Sequence, residues 1–254
     1  MSNKREREKR REERLQAEAQ VGTTDRRKRL LQMAAGAVFL AIAAVAVLII
    51  VNAGGDSGGD TEIEKTAEVN QLLQGIPQQD LVLGDPNAPV ELIEYGDLQC
   101  PVCKSVAETT LPQIIQTSVR RGEVKIDFRN FIVISEESIP AAAAAIAAGE
   151  QGKGWTYLDL FYENQGIERS GYVTDEFLEA VAKGAGIKDL AKWNKDREAA
   201  QRETEIEKDT QEAQTLGFEG TPSFAIKGPS TNGLELLGSA GTAAQLEEAI
   251  KAAS

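Results

Sequence analysis

The chain has 254 residues, 41 % hydrophobic and 27 % charged, with two cysteines, no histidine and a formal net charge of -12. This suits one sizeable folded body with additions, and the lack of histidine excludes Cys–His hydrolase dyads and a histidine base. Residues 1–51 hold 11 Lys and Arg against 6 Asp and Glu, which leaves a strongly acidic remainder, so no nucleic-acid partner is expected.

Residues 1–29 form a charged tail. Its stretch "KREREKRREERLQAEAQ" (4–20) mixes both signs at helical spacing, as a solvated helix or tail with i,i+4 ion pairs would. Residues 30–51, "LLQMAAGAVFLAIAAVAVLIIV", carry no charge. As a helix they would extend roughly 33 Å, enough for a hydrocarbon core of about 30 Å. A cleaved signal peptide has a shorter apolar run, so an uncleaved membrane anchor is expected, with a cut near Ala53 as the alternative. Arg26, Arg27, Lys28 and Arg29 precede the span and should stay in the cytoplasm, leaving everything after Val51 exported. Residues 52–62, "NAGGDSGGDTE", read as a flexible linker.

The folded body is expected over 63–254. A short helix is expected at 63–74, a short strand and turn at 80–86, and a buried strand at 89–97. The next helix should begin at the cysteines, followed by a long strand at 124–134. Residues 136–216 lack a convincing strand and read as successive helices. They include the alanine run "PAAAAAIAAGE", an aromatic segment with Trp155, Tyr157, Phe161 and Tyr162 that reads as internal packing, and a helix capped by Thr174. Gly217 is a good helix stop. Strands are expected at 223–228 and 234–240, and a closing helix at 242–253. The order describes an α/β fold interrupted by an all-helical excursion.

The chemistry sits in "GDLQCPVCKS" (96–105), which holds both cysteines. A structural zinc site would need four ligands, and two cysteines without histidine do not supply them, so no metal is expected. A staple closing so short a loop would contribute only about 2 kcal/mol in the chain-entropy picture. Reactive thiols fit the local physics better. Pro101 suits the first helical position, which puts Cys100 at the N-cap, where free N–H groups and the positive dipole end favour a thiolate. Cys103 follows one turn later, in reach of Cys100. Other motifs are absent: "GEQGKGW" lacks the P-loop pattern, and neither GxSxG nor GxGxxG occurs.

Cys-Pro-x-Cys after a buried strand, with "GTPSFAI" about 120 residues later and a helical insert between, resembles the DsbA-like thiol-disulfide oxidoreductases in their membrane-anchored bacterial form. The segments "GIPQQDLVLGDPNAPVELIEYGDLQCPVC" and "GFEGTPSFAIKG" carry the resemblance, which covers about residues 63–254. It implies a thioredoxin-like fold with an insert at about 136–216. It also implies a redox pair Cys100–Cys103 in an active-site loop with Pro101 and Val102, and no cofactor beyond that disulfide. Thr221-Pro222 matches the family's cis-proline loop, whose Thr221 backbone would pair with a substrate strand. Glu94 matches the family's buried acid, with an exposed strand residue as the alternative reading; buried, it would exchange a proton with Cys103. Phe218 is a candidate lining of a peptide groove. Implied partners are exported thiol proteins and a quinone-linked membrane reoxidase, at a bacterial cell membrane with a cytoplasmic N-terminus. Val102 stands where strong oxidases of the family carry histidine, so a milder Cys100 shift and a milder oxidant are expected. A reductase or isomerase on the same fold, or a binding or chaperone module with a structural disulfide, are the rival readings.

Overall fold

In the computed structural model, residues 61–239 and 241–254 are described. The expected tail and anchor, and the linker up to residue 60, lie outside them. Among the described residues no helix is long and apolar enough to cross a membrane.

The chain enters with helix α1 (Thr66–Leu73) and a small hairpin, β1 (Gln78–Gln79) and β2 (Val82–Leu83). Strand β3 (Val90–Gly96) leads into α2 (Pro101–Thr109). Helix α3 (Leu111–Ile114) runs on into a wider π-helical turn at Ile115–Val119, and β4 (Val124–Asn130) follows. The insert is all-helical: α4 (Ser138–Gly149), α5 (Gly154–Glu163), α6 (Asp175–Gly184), α7 (Leu190–Arg197) and α8 (Gln201–Thr215). Strands β5 (Ser223–Lys227) and β6 (Glu235–Gly238) and helix α9 (Ala243–Ala253) complete the fold.

The six strands form one sheet in the order β1-β2-β4-β3-β5-β6. Strand β3 pairs in parallel with β4 and antiparallel with β5. Flanked on both sides and covered on both faces, β3 is almost wholly buried, which suits its apolar Val90, Leu92, Ile93 and Tyr95 and takes Glu94 inside with them. Strand β4 alternates instead: Val124, Ile126 and Phe128 are buried, whereas Lys125, Asp127 and Arg129 are partly exposed.

The two faces of the sheet are filled differently. The larger core joins Val90, Leu92, Ile126 and Phe128 to Cys103, Leu111, Leu158, Phe161 and Leu246 from the helices. The smaller one sets Ile93, Tyr95 and Ala225 against Phe131, Ala213 and Phe218. Full burial of a Leu- or Phe-sized side chain contributes about 1.5–3 kcal/mol, so the larger core dominates stability. The alanine run packs as expected, with Ala141, Ala144, Ala145, Ala147 and Ala148 fully buried. Two indoles tie the insert to backbone: Trp155 Nε1 donates to the Leu81 carbonyl at 2.7 Å and Trp193 Nε1 to that of Ala144 at 2.9 Å. A Cβ on Gly154 would fall 2.2 Å from the Asp80 carbonyl oxygen, so only glycine lets α5 approach the hairpin this closely.

Three boundaries depart furthest from the sequence reading. Helix α1 starts at Thr66 rather than 63. The expected strand at 80–86 is one arm of a hairpin whose other arm, Gln78–Gln79, carries no apolar signal. The strand expected to Ile134 ends at Asn130, because the ladder with β3 ends at the Gly96–Asn130 pair. Beyond it the amides of Val133 and Ile134 donate to one oxygen of Asp97, each at 2.9 Å, and that of Ile132 to Thr210 Oγ1 at 3.1 Å. Side chains have replaced a strand partner, and the apolar run leaves the sheet.

Candidate active site

Strand β3 delivers the chain to the site. Gly96, its last residue, is obligatory: a Cβ there would lie 2.5 Å from the Phe128 ring and 3.3 Å from Tyr162 Oη. The turn that follows is organised by buried Asp97. Its carbonyl accepts the Cys100 amide at 2.9 Å, and its carboxylate accepts the Gln99 amide at 2.9 Å besides those of Val133 and Ile134.

Cys100 is the N-cap of α2 in extended conformation (φ −73°, ψ 120°), with Pro101 opening the helix. Its sulfur accepts the Cys103 amide at 3.4 Å, and its thiol donates to the Thr221 carbonyl, also at 3.4 Å. Both thiols are free. Cys100 is pushed down to about 6, chiefly by the Cys103 side chain against the opposing cost of burial, with help from Thr221 and the amides of Cys103 and Val102. The Thr221 hydroxyl has no hydrogen bond of normal geometry, but it lies close enough to favour the thiolate. Cys103 moves the other way. Burial raises its thiol well above the ordinary range, and the neighbouring Cys100 and Glu94 add to the rise. One sulfur is poised as an anion and the other as a neutral thiol.

The Thr221–Pro222 bond is cis, as the resemblance implies, and lies against Cys100. The β3–β5 ladder begins at the Tyr95–Ser223 pair, just after this loop. Ser223 Oγ donates to the Gly220 carbonyl at 2.6 Å and closes the turn. Pro222 is buried and Thr221 half-buried. Val102 is 57 % exposed, so the residue between the cysteines faces solvent.

Glu94 is settled in favour of burial, at 1 % exposure. Its carboxyl is raised to about 8, first by burial and then by Asp159 and Cys100. Its Oε1 has no hydrogen-bond partner.

Two expectations need correction. Phe218 is not exposed as a groove lining would be: it is buried in the smaller core with Ile93 and Phe131, its ring 5.3 Å from that of Tyr95. Tyr162 does more than pack within the insert. Its hydroxyl donates to the Asp97 carbonyl at 3.3 Å and its ring meets Phe128 edge-on. It is one of several insert groups holding the 96–100 turn. Gln165 Nε2 donates to the carbonyls of Leu98 at 2.7 Å and Cys100 at 3.2 Å, and the Arg169 amide donates to Gln99 Oε1 at 2.9 Å. Sequence reading missed Asp97, Gln165 and Asp159. The Asp97 of "GDLQC" carried a signal, as a short acceptor three residues before an N-cap; the other two did not.

Comparison with known proteins agrees with this geometry. A family model described as Thioredoxin matches residues 77–252. A Bacillus cereus protein named "Probable disulfide bond formation protein D" is 31 % identical over 203 residues, 79 % of this chain and 90 % of its own. Among solved structures, oxidised BdbD from Bacillus subtilis aligns with TM-score 0.59 at 23 % identity, over 69 % of this chain and 96 % of its own. The alpha-DsbA1 of Wolbachia pipientis aligns with TM-score 0.59 at 22 % identity, over 73 % and 95 %. At these identities the two structures attest the fold.

Proposed function

The chain belongs to the thioredoxin family and is a protein disulfide oxidoreductase, and from that premise we propose that Cys100 and Cys103 are its redox pair, forming disulfides in exported proteins. The observation that carries this reading is the opposite displacement of the two thiols at one helix start, beside a cis Thr221–Pro222 bond.

The exchange is written for the disulfide form of the pair. A substrate thiolate attacks Cys100 Sγ; a substrate–Cys100 bond forms and the Cys100–Cys103 bond breaks. Cys103 leaves as a thiolate and takes a proton, which Glu94, held neutral by burial, would give. A second substrate thiolate then attacks the substrate sulfur of the mixed disulfide. Cys100 departs as a thiolate that the start of α2 stabilises. The substrate gains a disulfide and the enzyme gains two electrons. The stabilisation of the Cys100 thiolate favours this product state; it is lost as the pH falls through about 6. Thr221 supplies the backbone along which an extended substrate segment would lie.

A Cys100 value of about 6 lies well above that of DsbA, about 3.5. That supports an oxidant of intermediate strength, with Val102 in place of histidine. The 22 uncharged residues at 30–51 behind four basic ones support a single-pass anchor with the catalytic body outside the cell. A quinone-linked membrane partner would reoxidise it. The test is Cys100→Ala with Cys103→Ala in the full chain, assayed on the oxidative folding of a reduced exported protein. Loss of folding yield supports the reading; an unchanged yield favours a binding or chaperone module.

A further inference from the structure

Asp97 is fully buried three residues before Cys100, and the exchange reaction assigns it no task. Its carboxylate takes three backbone amides from two segments. Oδ1 accepts that of Gln99 at 2.9 Å, inside the active-site turn. Oδ2 accepts those of Val133 and Ile134, each at 2.9 Å, from the stretch that follows β4. The Asp97 carbonyl accepts the Cys100 amide at 2.9 Å and the Tyr162 hydroxyl at 3.3 Å. These contacts close into a ring. The Ile134 carbonyl accepts Arg169 Nε at 2.9 Å, and the Arg169 amide returns to Gln99 Oε1 at 2.9 Å. The start of α2 is thus held from behind by two amides, of Gln99 and Cys100, that both bind Asp97.

We propose that Asp97 is a positioning residue for the exchange reaction: its carboxylate fastens the active-site turn to residues 133 and 134, and so keeps the Cys103 amide aimed at the Cys100 sulfur. This rests on the reading of Cys100 as the reactive thiol. The Cys103 amide reaches that sulfur at 3.4 Å, a long bond whose strength depends on where the first turn of α2 points. Position and charge act on the sulfur in opposite directions. A loosened turn weakens the amides that favour the thiolate, so its ionisation moves up. A nearby carboxylate repels a thiolate, so removal of charge alone moves it down. The other groups that act on Cys100 are Cys103 and the Val102 amide on α2 and Thr221 from the cis-proline loop, and the titratable groups that sense its charge are Glu94 on β3 and Tyr162 on α5. A carboxylate accepts at both oxygens, whereas asparagine keeps one acceptor and turns an NH2 toward the other amides.

The test is a pH titration of the reduced full-length protein by ultraviolet thiolate absorbance, with the Cys100 inflection assigned by its loss in Cys100→Ser. Asp97→Asn should move that inflection up by about half a pH unit or more, a threefold or larger change in proton concentration. Asp97→Ser leaves room for water at the freed amides and avoids the NH2 clash. It should raise the inflection too, and decides the matter where Asp97→Asn does not fold. Thr210→Val removes the acceptor of the Ile132 amide, in the same stretch but away from the turn, and should leave the inflection in place. An inflection unchanged or lowered in the folded Asp97 variants overturns the proposal. So does an equal rise in Thr210→Val, which would mark a general loosening of the fold. A wild type with no inflection below the ordinary thiol range, about 8.5, overturns the underlying reading of Cys100 instead.

Discussion

The two faces of the sheet handle buried polar groups in opposite ways. On the face under α2 and α5, Glu94 is buried without an ion partner, stays neutral to about 8 and sits beside a sulfur. On the face under α8, Tyr95 donates to Glu212 at 3.1 Å, Glu212 pairs with Arg129, and Arg129 pairs with Asp127 at 3.0 Å. Adjacent residues of one strand, Glu94 and Tyr95, thus enter two environments. The paired network satisfies its groups and fastens α8 to the sheet. The unpaired acid is left costly, and its protonation is thereby tied to the chemistry next to it.

The comparison breaks most visibly at the sulfurs. Cys100→Ser should abolish exchange, a loss on the order of 10³-fold or more, whereas Cys103→Ser should retain attack of the Cys100 thiolate on a substrate disulfide, releasing one substrate thiolate and accumulating a mixed disulfide at Cys100. Trapping on non-reducing gels reads both. Glu94→Gln comes next, slowing release of Cys103 on the order of 10²-fold in single-turnover kinetics. The same variant should gain stability. The carboxyl ionises near its ordinary 4.5 when unfolded but near 8 when folded, so wild type loses stability as the pH rises across that window. Glutamine has no such loss, and the gap at pH 9 should approach about 5 kcal/mol, at about 1.36 kcal/mol per pH unit, in urea melts. On the opposite face Glu212→Ala should cost about 1–3 kcal/mol of stability by stranding the Tyr95 hydroxyl and leaving Arg129 with Asp127 alone, and leave the exchange rate within about twofold. An exchange defect there as large as that of Glu94→Gln would erase the distinction between the faces. The smallest effect is expected from Val102→His, which adds a donor beside the thiolate. It should lower Cys100 by about one pH unit and raise the potential by about 30 mV.

What could be read beforehand followed from local rules. The N-cap at Cys100, the cap at Thr174 and the buried strand β3 are set by residues within a turn of each other. The Thr221–Pro222 loop and its cis bond came from the family resemblance rather than from any local signal. Glu94 alternates with residues of both cores, so its burial depended on α5 covering that face, which no pattern in β3 discloses. The end of β4 was misplaced because Asp97 and Thr210, 36 and 78 residues away, capture the amides that a strand partner would otherwise take. Gln165 and Asp159 were invisible for the same reason. The meaning of Gln165 lies in how the insert returns over the 96–100 turn, and that of Asp159 in its burial by distant elements.

The central claim is that Cys100 and Cys103 form a working oxidant, and the reduction potential tests it most directly. Equilibration of the full-length protein with glutathione buffers at pH 7, followed by acid quench and thiol labelling, gives the fraction of Cys100–Cys103 disulfide. A potential between about −120 and −200 mV is predicted, spanning the range from DsbA to protein disulfide isomerase. A value at or below about −270 mV, that of thioredoxin, would contradict the account and mark the pair as a reductant or a structural bond.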